Sequence, residues 1–339
     1  MTVLEKISAH DHKTQPKADS DMQKVLDALA ALGGKPIETL TPAEARKQPT
    51  PADAVKRVLA AKDRRPTPDL DVVTHELTIP GADGPLPARV YRPKGSESEK
   101  LPVVVYWHGG GWVIANIDVY DAGPRALAKM AHAVVISCEY RMAPEHKFPA
   151  AHDDAFAQYQ WILGNTGAFS GDETQIAVVG ESAGGNLAVA TAMKARDAGI
   201  KGPAHIVAIY PVAGNDMTTD SYRQNANAKP LNKAMMEWFV SHVFTSKDQT
   251  NDPRLNLIGA NLRNLPSATI ILAEIDPLRS EGEMLAKRLK DAGSDVDYKI
   301  FDGVTHEFFG MGLIVGQATS AEKMAANGLK KAFGTNTLL

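Results

Sequence analysis

The chain has 339 residues, 44% of them hydrophobic and 23% charged. This predicts two domains or one large one, with a core that stands without disulfides or metals. Lys and Arg number 37 against 40 Asp and Glu, a formal charge of -3, which excludes a broad electrostatic footprint for nucleic acid or an anionic membrane. The single cysteine, Cys138, rules out an intramolecular disulfide framework and any multi-cysteine zinc site, and it fits a reducing compartment.

The stretch from Met1 to Asp21 is studded with charges and histidines and lacks the apolar core of a signal peptide, so a cytoplasmic location is expected. Met22, Val25, Leu26 and Leu29 fall at the spacing of an amphipathic helix, which Gly33-Gly34 ends. Thr41-Pro42-Ala43-Glu44 carries the cap, N1 proline and acid of another helix start. Pro49, Pro51, Pro66 and Pro68 punctuate the remainder of this N-terminal stretch, and the basic run Lys62-Asp63-Arg64-Arg65, broken by an acid, reads as a solvated linker.

From Val72 short β-rich runs take over: Val73–Ile79, Ala88–Arg92, Val103–Trp107, Val134–Cys138, Ile176–Val179, Ile206–Tyr210, Ala268–Leu272 and Val296–Phe301. The first two flank a Gly/Pro turn and read as an antiparallel pair. The later ones are apolar throughout and alternate with helices such as Gly185–Arg196 and Glu281–Ala292, the pattern of a parallel sheet covered on both faces. Eight strands, mostly parallel, therefore make an α/β sandwich. A helical insertion with Met235, Met236, Trp238 and Phe239 interrupts the rhythm between Ala213 and Arg254. The longest apolar stretches, such as Ile206 to Ala213, fall far short of the roughly 18 residues of a membrane span.

Four segments carry chemistry. His108-Gly109-Gly110-Gly111-Trp112 ends a strand, and its glycines let backbone N–H groups point into a cavity toward the charge that develops on a carbonyl oxygen in acyl transfer. Gly180-Glu181-Ser182-Ala183-Gly184 follows a strand and opens a helix, the pattern of a nucleophile elbow, in which the N–H of Ala183 completes the oxyanion hole. The bland alternative for Ser182 is a helix N-cap. Serine needs a base, and the base an orienting carboxylate. Of the downstream histidines, His205 precedes a core strand and His242 lies on a helix face in the insertion. His306 sits in the loop Gly303-Val304-Thr305-His306 after the last strand, and is the expected base. Asp276 is the expected acid, on a post-strand loop stiffened by Pro277; Glu274 and Asp302 compete with it, and capping of the next helix is its structural alternative.

Together with Tyr140-Arg141-Met142-Ala143-Pro144-Glu145 and Asp276-Pro277-Leu278, these segments resemble the bacterial hormone-sensitive lipase family of carboxylesterases over roughly residues 70 to 335. The resemblance implies an α/β-hydrolase fold: an eight-stranded, mostly parallel sheet between helices, with a helical cap. Ser182 matches the nucleophile, Asp276 the acid and His306 the base, and Gly110, Gly111 and Ala183 match the oxyanion donors. Residues 71–339 would form the catalytic domain, with the cap built from residues 1–70 and an insertion at about 213–255. A short-chain ester substrate is implied, with no cofactor and no metal, and a homodimer is compatible with the family. The same triad would serve amides, lactones or carbamates, whereas non-catalytic receptors on this fold lose a triad member. Two positions depart from the family: Glu181 stands before the nucleophile where Asp or Thr is usual, and Ser280 where Asp is common.

Among the large apolar residues, Trp112, Trp238 and Phe309 are the candidates for the substrate pocket, with Phe239, Phe308 and Met311 behind them. Arg141 is expected to brace the glycine loop by pairing with Asp153 or Asp154. His146 and His152 read as surface or loop histidines rather than metal ligands, and Cys138 as buried filler.

Overall fold

The computed structural model describes residues 16–61 and 71–335. The basic run at 62–65, Pro66, Pro68 and the first 15 residues lie outside the described residues.

Among the described residues three α-helices come first: α1 (Ser20–Ala31), α2 (Pro42–Ala45) and α3 (Pro51–Ala60). The last two start in capping boxes, Thr41 with Glu44 and Thr50 with Asp53, each followed by an N1 proline. The core comes next as β1 (Val72–Gly81), β2 (Gly84–Pro93), β3 (Leu101–Trp107), α4 (Ala122–Ala131), β4 (Val134–Cys138), α5 (Ala150–Asn165), β5 (Gly171–Glu181), α6 (Ala183–Asp197) and β6 (His205–Ile209). The insertion carries α7 (Asp220–Gln224) and α8 (Lys233–Val243). The chain then runs through β7 (Ser267–Ile275), α9 (Arg279–Asp291), β8 (Val296–Thr305) and α10 (Gly316–Phe333).

All eight expected strands join one sheet in the order β1-β2-β4-β3-β5-β6-β7-β8. β1 and β2 pair antiparallel, β2 meets β4 antiparallel, and every other pairing is parallel. The inner strands are apolar throughout because both faces are buried. On β3, Val103, Val105 and Trp107 face the layer of α5, α6 and α9, while Val104 and Tyr106 face α4, α10 and α1. The chain leaves β3 toward β4 on one side and returns to β5 on the other, so a crevice opens at the carboxyl ends of β3 and β5, where such sheets bind ligands.

Two boundaries differ from expectation in a way that matters. Gly303 to Thr305 are strand rather than loop, since Thr305 pairs with Ile275 across an irregularity in the β7–β8 ladder. Glu274 likewise lies inside β7. His306 and Asp276 thus each come directly after a strand end, adjacent in register. Among the described residues no helix is long and apolar enough to cross a membrane.

Candidate active site

Ser182 is the single residue between β5 and α6. It holds φ 55°, ψ -114°, a left-handed backbone that costs a non-glycine residue on the order of 1–3 kcal/mol. The surroundings over-determine it: its N–H donates to the Ile209 carbonyl at 2.8 Å, and its carbonyl accepts from Asn186 and Val212. A Cβ on Gly184 would fall 2.0 Å from the Trp107 carbonyl oxygen, so the first turn of α6 packs on β3 only with glycine there. Although Ser182 occupies the N-cap position, its side chain makes no capping hydrogen bond. Its Oγ instead lies 3.0 Å from His306 Nε2.

The other ring nitrogen of His306, Nδ1, stands 2.7 Å from Asp276 Oδ2. With Nδ1–H donating to the carboxylate, the Nε2 lone pair is left to accept from the serine hydroxyl. All three side chains are buried. Burial works to lower the pKa of His306, but the charge and hydrogen bond of Asp276, helped by Glu307, outweigh it and hold the ring above its ordinary value. The second oxygen of Asp276 accepts from the Leu278 N–H at 2.8 Å. The carboxylate therefore orders the start of α9 through a local turn as well as meeting His306. Both competitors are elsewhere: Glu274 accepts from the Gly303 N–H at 2.8 Å and Asp302 is exposed. His205 is buried between Ser267 and Thr269, and His242 packs edge-on against Trp238.

Beside Ser182 the glycine run turns tightly, with the N–H groups of Val113 and Ile114 both donating to the Gly110 carbonyl. Gly110 and Gly111 have φ of 95° and 60°, and a Cβ on Gly111 would fall 2.4 Å from the Phe239 ring. Ala183 follows the serine as the first residue of α6, where helical N–H groups lack partners within the helix. Tyr140 donates its hydroxyl to the His108 and Gly109 carbonyls, at 2.9 and 3.2 Å. The next residue, Arg141, grips Asp154 with two 2.9 Å bonds. Asp154 is thus the partner, and the brace expected beneath the glycines is present.

The site opens into a cavity of about 1550 Å³, walled by residues that include Trp112, Leu29, Met235, Met236 and Phe239. Two of the three pocket candidates are corrected. Trp238 faces away and donates its indole N–H to the Leu40 carbonyl at 3.0 Å. Neighbours on a helix point about 100° apart, so α8 directs Phe239 to the site and Trp238 to the N-terminal segment. Phe309 also misses this cavity. Glu307 takes a left-handed φ of 70° and turns the chain, leaving Phe309 buried on the α4 and α10 side of the sheet with Phe308 and Met311. His152 is corrected too: it is buried in α5, its Nε2–H donating to Asn186 Oδ1 at 2.8 Å, and burial pushes its pKa down to about 4. His146 is exposed and Cys138 buried, as expected.

Several participants escape sequence reasoning. Glu181 is buried beneath the elbow and accepts from the hydroxyls of Tyr106 and Tyr210; Tyr210 also lies against the His306 ring, with centroids 4.5 Å apart. Burial and the neighbouring Glu307 push the Glu181 carboxyl up to about 8. In the insertion, Ser221 donates to the Pro277 carbonyl at 2.6 Å and Asn225 to the Asp276 carbonyl at 3.1 Å. Ser280, the second departure, exchanges hydrogen bonds with Ser221 through both backbone N–H groups. These hydrogen bonds join segments 29 to 75 residues apart, and only Glu181 and Ser280 carried a signal, as unusual residues within recognisable motifs.

Residues 104–310 match the alpha/beta hydrolase fold family. The chain is 37% identical to the carboxylesterase NlhH of Mycobacterium tuberculosis, over 84% of this chain and 91% of that protein. It is 33% identical to the ethyl acetate hydrolase of Pseudomonas putida, over 87% and 92%. The hyperthermophilic esterase of Pyrobaculum calidifontis superposes with a TM-score of 0.83 at 35% identity, covering 93% of this chain and 98% of that one. With the hydrogen-bonded serine, histidine and aspartate at the strand ends, the chain belongs to the alpha/beta hydrolase family, on the hormone-sensitive-lipase-like branch of carboxylic ester hydrolases.

Proposed function

We propose that the protein hydrolyses short-chain carboxylic esters, with Ser182 as nucleophile, His306 as general base and acid, and Asp276 as the orienting carboxylate. The observation that carries this is the unbroken hydrogen-bond chain from Asp276 Oδ2 through His306 to Ser182 Oγ, at 2.7 and 3.0 Å, facing an apolar-walled cavity. In acylation the Ser182 proton passes to Nε2 as Oγ bonds to the ester carbon. The N–H groups of Gly110, Gly111 and Ala183 stabilise the oxyanion, and Nε2–H protonates the departing alcohol as its C–O bond breaks. Water then attacks the acyl-enzyme, giving its proton to Nε2, and the acid leaves as Ser182 is reprotonated. No step calls for a cofactor or metal.

The short acyl chain is supported by the Phe239 ring closing on Gly111 of the glycine loop beside Ser182, and by a relative named for ethyl acetate hydrolysis. Trp112 walls the same cavity. The cap, in this proposal, consists of the N-terminal helices and the insertion at about 213–255, supported by Leu29 and Met235 walling one cavity with Ser182. A cytoplasmic location is proposed on the lone buried thiol, Cys138. A homodimer is proposed through the sheet edge at β8, where Tyr298 is 43% exposed; light scattering that finds monomer at all concentrations would remove it.

The deciding experiment is hydrolysis of a p-nitrophenyl ester series by wild type and Ser182→Ala. Acetate to hexanoate should be turned over faster than dodecanoate, and the variant should lose activity together with labelling by a serine-directed phosphonate. Equal activity in both proteins would sink the Ser182 assignment, and a wild type silent toward every ester would sink the esterase.

A further inference from the structure

Beyond Asp276, a second carboxylate meets the catalytic ring. Glu307 is the residue directly after His306, and its Oε1 lies 3.8 Å from His306 Nε2, the edge that faces Ser182. It is fixed there by the Tyr120 hydroxyl, which donates to both carboxylate oxygens at 2.5 and 2.7 Å. Tyr120 is itself locked behind the glycine run, since a Cβ on Gly109 would fall 2.3 Å from its hydroxyl. Glu307 and Tyr120 line the cavity with Ser182 and His306.

Two costs are sustained at this position. Glu307 holds φ 70°, where glycine would be unstrained, and its carboxyl is largely shielded from bulk water, so burial pushes its pKa up against the countering pull of His306 and Tyr120. A glycine or asparagine would relieve both. What a carboxylate supplies, and they do not, is negative charge beside a ring that must become cationic twice per turnover. We propose that Glu307 is a positioning residue of the reaction: through its contact with the reactive edge of His306 it stabilises the imidazolium of both half-reactions, as Asp276 does from the Nδ1 side. This role rests on the assignment of Ser182, His306 and Asp276 above.

The charged and titratable groups around this pair come from every neighbouring element: Asp276 from the β7–α9 loop, Tyr106 from the end of β3, His108 and Tyr120 from the segment after it, Tyr140 from the segment after β4, and Glu181 from the end of β5. Tyr210, after β6, packs on the His306 ring. Because several groups titrate nearby, the test compares variants at one position.

The acid limb of kcat/KM against pH is measured with an alkyl ester, whose leaving group needs protonation, for wild type, Glu307→Gln and Glu307→Asp. Removing the charge lets the imidazolium lose its proton more readily, so in Glu307→Gln the limb should move to lower pH by about one unit, with the plateau kcat down about tenfold. Glu307→Asp keeps the charge and should keep the wild-type limb. A limb that stays put or moves upward in Glu307→Gln overturns the proposal whatever the loss of rate, as does Glu307→Asp shifting it equally. If Glu307→Gln fails to take up a serine-directed phosphonate, Tyr120→Phe decides: loss of the hydroxyl that holds the carboxylate should lower the limb by a smaller amount, and an unmoved limb overturns the proposal. Failure of the triad assignment shows separately, as hydrolysis that survives Ser182→Ala.

Discussion

Ser182 spends conformational energy to lift its hydroxyl clear of the sheet, and the neighbouring residues secure that geometry by close backbone contact rather than by side chains. Under the proposed mechanism, catalysis then depends on which ring nitrogen of His306 carries the proton. Asp276→Asn leaves the shape of the loop but offers an amide N–H to Nδ1, favouring the wrong tautomer. The kcat should fall roughly 10³–10⁴-fold, measured under saturating ester, while the melting temperature changes little. In the proposed mechanism, ester hydrolysis by the wild type needs neutral His306. Its pKa is held above the ordinary 6.5, so activity should decline with falling pH from a point above that of a free histidine, read from kcat/KM across pH. Gly111→Ala tests the oxyanion loop: the methyl group meets Phe239 at a left-handed φ. A loss of about 1–3 kcal/mol in stability is expected, measured by urea denaturation, with a fall in kcat larger than any change in KM.

At the scale of elements, the N-terminal helices and the insertion do not merely lie over the sheet; they are wired to the working loops. Arg46, just past α2, donates Nε to the Val113 carbonyl and Nη2 to the Ala143 carbonyl, both at 2.8 Å, and its guanidinium also grips Glu145. One side chain thus ties the N-terminal segment to the glycine loop and to the Tyr140–Glu145 strap. The Glu145 pair is largely exposed and adds little by itself, whereas the two backbone bonds hold partly buried groups. Arg46→Ala should cost about 1–3 kcal/mol by thermal or urea unfolding and raise KM several-fold, with Arg46→Lys recovering only part because lysine cannot serve both carbonyls in one plane. In the insertion, Ser221 of α7 and Asn225 just past it do the same for the Asp276 loop.

For the molecule as a whole, several acids are carried inside. Burial pushes Glu181 and Glu281 up to about 8 and Glu322 to about 7. Each folded pKa exceeds the unfolded 4.5, so these groups favour the folded state fully below pH 4.5, and that advantage is lost progressively as pH rises from 4.5 to the folded values of about 7 to 8. His152 and His205, pushed down to about 4 by burial, act oppositely, but only below the unfolded value of 6.5. Between pH 6.5 and 8 the acids and the raised His306 act with the same sign, and the melting temperature should fall across that window. Glu281→Gln, which keeps an acceptor for the Ala213 and Gly214 N–H groups, should shrink the decline by on the order of 2 °C, measured by calorimetry at several pH values.

Much of this was legible along the chain. Uninterrupted apolar runs alternating with helices dictate a doubly covered parallel sheet, because only strands buried on both faces can dispense with polar residues. Glycines around Ser182 and after His108 mark the two places where backbone must approach backbone, and the order of serine, aspartate and histidine after successive strands puts their side chains on one edge. Local chemistry sufficed wherever the constraint was local. What it could not supply was direction: Trp238 or Phe239 toward the cavity is a matter of helix rotation, Phe309 was turned away by a single left-handed residue, and His152 was drawn inside by Asn186, 34 residues on. The partners of Arg46, Tyr120, Glu307 and Glu181 were likewise decided only in three dimensions, because a buried charge or hydroxyl is satisfied by whatever packing brings within about 3 Å, and sequence separation places no limit on that.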